Sequence, residues 1–162
     1  VIGSRGSVIP NFISLLKNKR NIFVTNKKMV RFVMTVDESI DSILNALNQM
    51  KGFEIFILKS MKCFKIIDLA EALLFYFKKL GNNKSKIIVS KEGKGEKFKE
   101  ELFLKSEISK ISIDRNMFII RKDIKKPKKG NFSLINKYRV SNYNIMGQKQ
   151  IIKLLRDSEI LK

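Results

Sequence analysis

Thr35-Val36-Asp37-Glu38-Ser39-Ile40-Asp41-Ser42-Ile43-Leu44-Asn45-Ala46-Leu47, followed by Glu54-Ile55-Phe56-Ile57-Leu58, is a helix pattern giving way to a strand pattern. Val36, Ile40, Ile43, Leu44 and Leu47 recur at helical spacing. Thr35 with Glu38 three residues later fits a capping box, in which each side chain bonds the other's backbone N–H. Gly52 ends the helical run, and EIFIL is the short apolar run of a buried strand. The same alternation continues on both sides. Pro10 to about Lys19 predicts a helix, with Pro10 in the first turn, where its missing N–H is not needed. Asn21–Thr25 and Arg31–Met34 predict short strands, with Lys27-Lys28 as an exposed turn between them. Ile66–Leu80 predicts a strong helix with Gly81 as its C-terminal cap. Lys86–Ser90 predicts a strand, Phe98–Leu104 a short helix, Met117–Ile120 a strand and Gln148–Leu161 a terminal helix. Strands alternating with helices indicate an α/β fold.

Composition bounds what such a chain does. Its 162 residues suit one domain, or one plus a tail, and 44% hydrophobic residues are enough for a core. The 34 Lys+Arg against 15 Asp+Glu leave a net charge of +19. That charge raises nucleic acid or an anionic surface as partners. It also fits the codon drift of an A- and T-rich genome, since Lys, Ile, Asn and Phe crowd the whole chain. On the second reading, nucleic-acid binding is weak, nonspecific and salt-sensitive.

Histidine is absent, which removes the usual general base near neutral pH and the common zinc sites. No metal site is expected. The single cysteine, Cys63, excludes an internal disulfide and reads as a small buried hydrophobe. No apolar run approaches the roughly 20 residues of a membrane span. The first residues carry no signal-peptide pattern, so the expected location is cytoplasmic and no membrane partner is expected. The opening Val1-Ile2-Gly3-Ser4-Arg5-Gly6-Ser7 reads as cut from something longer.

Motifs that would carry catalysis are missing. No Gly-x-Gly-x-x-Gly follows a strand, no Walker loop occurs, and no tyrosine has a lysine four residues later. No catalytic residue is therefore assigned. Gly3-Ser4-Arg5-Gly6 has the shape of a KH loop without that module's flanking pattern. From Arg121 to Arg139 Lys and Arg dominate, with Pro127 and Gly130, as in a linker or surface arm. Phe132 and Tyr138 in this arm are candidates for base stacking.

Three stretches carry a family resemblance. Val1-Ile2-Gly3-Ser4-Arg5-Gly6-Ser7-Val8-Ile9-Pro10 resembles the segment just after the catalytic region of polysaccharide-biosynthesis dehydratases of the CapD and CapE type. These belong to the extended short-chain dehydrogenases and act on UDP-N-acetylglucosamine. Met29-Val30-Arg31-Phe32-Val33-Met34-Thr35 resembles their Met-Thr-Arg-Phe-x-Met-Thr. Gly95-Glu96-Lys97-Phe98-Lys99-Glu100-Glu101-Leu102 resembles their Gly-Glu-Lys-Leu-x-Glu-x-Leu. Glu54–Ile57 and Ile66–Ala72 fall between these in the expected order. The resemblance covers about residues 1–120, and Tyr138–Leu155 only loosely resembles the family's small C-terminal extension.

The resemblance implies the C-terminal, substrate-binding part of an extended short-chain dehydrogenase (Rossmann-type) fold. That part is a small mixed sheet with helices over 1–120, a basic linker or arm over 121–139, and a C-terminal extension over 140–162. The implied whole enzyme is an NAD(P)-dependent UDP-N-acetylglucosamine 4,6-dehydratase or epimerase for capsule or other surface polysaccharide, and a homo-oligomer. NAD or NADP and the catalytic residues would sit mainly in a missing N-terminal Rossmann half, leaving this chain inactive by itself.

By resemblance, Arg31 meets the UDP diphosphate, and Glu96 accepts the ribose hydroxyls. Arg5 lies in the loop beside cofactor and sugar, Phe23 sits against the uracil, and Val1 and Ser4 lie near the cofactor. Each has a plainer reading. Arg31 is a surface arginine, Glu96 a helix-start glutamate, Arg5 a residue that positions its loop without touching substrate, Phe23 a core aromatic, and Ser4 and Ser7 satisfy turn backbone. The chain departs from the family at Gly93-Lys94, where an arginine for a second phosphate contact is usual; Lys91 or Lys94 would substitute only as a point charge. Val30 replaces a threonine. A non-catalytic remnant and a basic nucleic-acid-binding module are the alternatives.

Overall fold

The computed structural model describes residues 1–59, 61–82, 84–90, 100, 102–114, 116–121 and 144–162. Within them the chain forms α1 (Val8–Lys17), β1 (Ile22–Val24), β2 (Val30–Val33), α2 (Val36–Leu47), β3 (Ile55–Leu58), β4 (Lys62–Lys65) and α3 (Ile66–Lys79). Then follow β5 (Ile87–Val89), a 3-10 turn (Lys105–Lys110), β6 (Ile111–Asp114), β7 (Met117–Ile120) and α4 (Gln148–Asp157). The α/β reading stands, but the described strands make three small sheets in place of one mixed sheet. β1 pairs in parallel with β5, β2 antiparallel with β4, and β7 lies between antiparallel β3 and β6.

Apolar periodicity explains the core. α3 is the central helix, with Leu69, Ala70 and Leu73 fully enclosed. α1 packs on it through Phe12 and Leu16, β1 through Ile22 and Val24, and α4 through Ile151 and Leu155. Gly81 takes φ +90 directly after the helix, a left-handed position that favours glycine at a helix C-terminus. A second cluster, of Ile108, Ile111, Phe118 and Ile120, holds the three-stranded sheet together.

Helix starts follow their capping chemistry. The Thr35 hydroxyl accepts from the Glu38 N–H at 3.1 Å, and the Glu38 carboxylate accepts from the Thr35 N–H at 2.8 Å. This is the capping box expected from the sequence. The Lys62 ammonium also donates to Glu38 at 2.5 Å, tying α2 to β4. Burial raises the Glu38 carboxyl, but the Lys62 ammonium and the Thr35 backbone outweigh it and hold the group below its ordinary 4.5. A lowered folded-state value stabilises the fold above the unfolded value and is lost as pH falls through the folded one. Glu38→Gln is therefore expected to lower the melting temperature at pH 7 and to lose its effect as the pH falls from the ordinary carboxylate value through the lowered one. A melting series from pH 3 to 7 on both proteins checks this.

α1 begins at Val8 rather than Pro10. Ser7 is its N-terminal flank, and Pro10 occupies the third helical position, still within the turn whose N–H groups lack intrahelical acceptors. The strand β4 and the strand β6 were not anticipated. Lys62-Cys63-Phe64-Lys65 buries Cys63 and Phe64 between two lysines, too short a run to stand out. Cys63 is fully enclosed, and burial pushes its thiol up, in keeping with an inert hydrophobe. Residues 102–104 are not helical. Residues 98, 99 and 101, the charged turn at 91–97 and the basic arm from 122 to 139 lie outside the described residues.

The segment after the arm rejoins the body directly. Ile145 forms a parallel bridge with Cys63, and the Met146 N–H donates to the Cys63 carbonyl at 2.9 Å. The N-terminal residues are pinned as well: the Ile2 N–H donates to the Met34 carbonyl at 2.9 Å, and Ile2 is buried.

Candidate functional site

The N-terminal loop, α1, β1 and β2 converge on an open cleft of about 470 Å³. Ser4, Gly6, Ser7, Phe23, Arg31 and Glu100 are among the residues that line it.

α1 directs its N-terminus at this cleft, with Val8 and Ile9 also in the lining. The first N–H groups of a helix have no intrahelical acceptor and carry the positive end of its dipole. Pro10 removes one donor, and no acidic side chain lies in the first turn to occupy the others. The Ser7 hydroxyl is buried and has no hydrogen-bond partner among the described residues. Ser7 flanks the helix start and lines the cleft, so its unsatisfied hydroxyl lies beside the first helical residues. An end of this kind attracts phosphate or carboxylate.

β2 brings Arg31 to the same cleft. Val30 and Val33 are buried, while Arg31 keeps about a quarter of its side chain exposed. Its Nη1 donates to the Val30 carbonyl at 3.0 Å, and its Nε lies 3.3 Å from a Glu100 carboxylate oxygen. These two contacts fix the plane of the guanidinium. A fixed planar fork suits phosphate oxygens better than a mobile ammonium does.

Phe23 is not a core residue. It stands between buried Ile22 and Val24 on β1 and is 57% exposed, a flat apolar surface at the cleft edge. Val1 and Ser4 also line the cleft. Arg5 is exposed and is not among the lining residues, so the structure does not bring it together with Arg31. Glu96, Lys91 and Lys94 lie outside the described residues. Glu100 as the partner of Arg31 had no place in the sequence reading, and Ser7 was expected only to satisfy turn backbone. Both fall inside the family-like stretches, where a closer reading of Glu100 would have marked it. Among the described residues no group of three or more metal-ligating side chains is assembled.

Comparison with known proteins now adds the family. Residues 1–122 match the family described as polysaccharide biosynthesis protein. The chain belongs to that family. The capsular polysaccharide biosynthesis protein CapD of Staphylococcus aureus is 38% identical over 110 residues, covering 67% of this chain and 18% of CapD. A UDP-N-acetylglucosamine 4,6-dehydratase (inverting) of Campylobacter jejuni is 34% identical over 138 residues, covering 84% of this chain and 38% of that enzyme. The X-ray structure of Pen from Bacillus thuringiensis superposes with a TM-score of 0.80 at 33% identity, covering 99% of this chain and 48% of Pen. The chain thus spans less than half the length of each of these relatives. Among the described residues no helix is long and apolar enough to cross a membrane.

Proposed function

We propose that this chain is the part of a UDP-N-acetylglucosamine 4,6-dehydratase that holds the UDP-sugar, serving the cytoplasmic synthesis of a surface polysaccharide. The observation that carries this reading is the convergence of Arg31 and the N-terminus of α1 on one cleft with an exposed aromatic beside them. A diphosphate between Arg31 and the Val8 and Ile9 amides meets a side-chain fork on one side and oriented dipoles on the other. The Ser7 hydroxyl offers a further donor there. Phe23 gives the uracil ring a face to stack on. Glu96 is assigned to the ribose hydroxyls from the family resemblance. Arg5, exposed and outside the cleft lining, is assigned to ordering the loop around Ser4 and Gly6.

The sequence holds no Gly-x-Gly-x-x-Gly after a strand, and among the described residues no glycine-rich turn joins a strand to a helix. NAD or NADP, and the hydride and dehydration chemistry it supports, belong on this reading to the part of the relatives that this chain does not match. What this chain contributes is binding energy remote from the reacting carbons, which orients the sugar and limits water in the site.

Calorimetric titration with UDP, uridine and inorganic pyrophosphate, each alone, tests the reading. UDP is expected to bind at least tenfold more tightly than either half, since base and diphosphate contacts act together. Pyrophosphate binding as tightly as UDP would reduce the cleft to a general anion site.

A further inference from the structure

α2 is turned the opposite way from the other helices of the chain. Val36, Ile40, Ile43, Leu44 and Leu47 share one face, as the helical repeat requires, and each is between 49% and 57% exposed. Not one residue of α2 is buried. The opposite face is polar and borders a surface cleft, with Asp41 and Asn45 themselves exposed. Glu38, Asp41, Ser42, Asn45 and Gln49 line a cleft of about 380 Å³, together with Leu58, Asp114 and Asn116.

This orientation is anchored. The capping box sets the start of α2, and the Lys62 ammonium holds the polar face toward β4 through Glu38. Beyond the helix, Met50, Phe53 and Ile55 add further exposed apolar side chains. Phe53 is 89% exposed and takes φ +64, a backbone conformation that is costly for an aromatic residue. The turn that places it there is clamped by Glu54, whose carboxylate accepts from the Lys51 and Gly52 N–H groups. A monomeric protein seldom exposes an apolar stripe of this length unless something covers it.

We propose that the outward face of α2 is the docking surface for a companion domain, the counterpart of the part of the relatives that this chain does not match. It rests on the reading above, in which a second part completes the enzyme. The match to Pen supplies the occupant. Nearly all of this chain, α2 included, superposes within a molecule of which it makes up 48%. An equal mass of protein accompanies the same fold there. The charge around the stripe points the same way. In a chain of net charge +19, α2 carries Asp37, Glu38 and Asp41 and no basic residue. A helix with no basic residue has nothing to draw its apolar face to an anionic lipid surface, and suits a protein partner.

Thiol labelling tests the proposal. In a Leu44→Cys variant of the chain, the new thiol is expected to react freely, with enclosed Cys63 as a slow background. In a hybrid where the same variant replaces the segment of Pen that it matches, labelling at position 44 is expected to slow at least thirtyfold. Equal rates in chain and hybrid would overturn the proposal. So would protection already present in the isolated chain with a mass of two copies, which would make a second copy the occupant. A measurement on the chain alone stands if the hybrid fails to fold. The chain is expected to bind an apolar-surface dye, and Ile40→Glu with Leu44→Glu to cut that binding at least threefold without changing helix content. Unchanged dye binding would also overturn it. Neither readout involves nucleotide, so failure here and failure of UDP binding are separable.

Discussion

Leu155→Ala is expected to lower the stability of the chain by about 3 kcal/mol, the middle of the range for emptying a buried leucine site. Leu155 is 1% exposed and lies in α4, at the end of a C-terminal segment that resembles a small appendage. The structure makes it part of the main core. α4 packs on α3, and Ile151, Leu155 and Leu161 share one cluster with Leu69 and Leu73. Methyl groups removed here leave a cavity walled by α3, which cannot move in without disturbing α1 and β1. Urea unfolding is the check. The midpoint should fall with little change in slope, because the same surface is exposed on unfolding. A loss under about 1 kcal/mol would mean that α4 is merely appended.

Arg31→Ala is expected to weaken UDP binding about thirtyfold, equivalent to about 2 kcal/mol. The size follows from a charge-assisted, two-pronged contact in a partly buried place, where the side chain is 24% exposed. Arg31→Lys is expected to fall between the two, because it keeps the charge but loses the planar fork and the Nε contact to Glu100. Uridine binding should be unchanged by both substitutions, since the arginine is assigned to the phosphates. An equal loss for uridine and UDP would show that Arg31 holds the cleft's shape instead.

Much of this architecture was legible because its local and long-range preferences agree. α2 and α3 combine helical periodicity with a definite start or stop, the Thr35–Glu38 box for one and Gly81 for the other. α1 was read two residues short because proline is acceptable anywhere in the first turn, so Pro10 marks the turn and not its first residue. β4 and β6 are four residues each and take their identity from their partners. The register of Arg31 against Phe64 lies outside anything that Lys62–Lys65 shows alone. The site divides in the same manner. Arg31 stood out by its motif, and Phe23 by its type, although its exposure came only with the β1–β5 pairing. The Arg31–Glu100 contact joins residues far apart in the chain, and no local pattern encodes such a pair. The apolar stripe of α2 was plain in the sequence, but periodicity says only that a face is apolar. Whether that face meets this chain's own core or another domain depends on how the helix is rotated, which no local pattern fixes.

The central claim is that the cleft beside Arg31 is a built nucleotide-diphosphate site and not one more patch on a very basic chain. Titration of the chain with UDP at low and at high salt tests it most directly. Saturable one-to-one binding whose affinity falls less than tenfold between about 0.05 and 0.5 M salt is the predicted result, because partly buried contacts are screened far less than surface charge. Binding that disappears at the higher salt, or that fits no single site, would contradict the account and leave net charge as its cause.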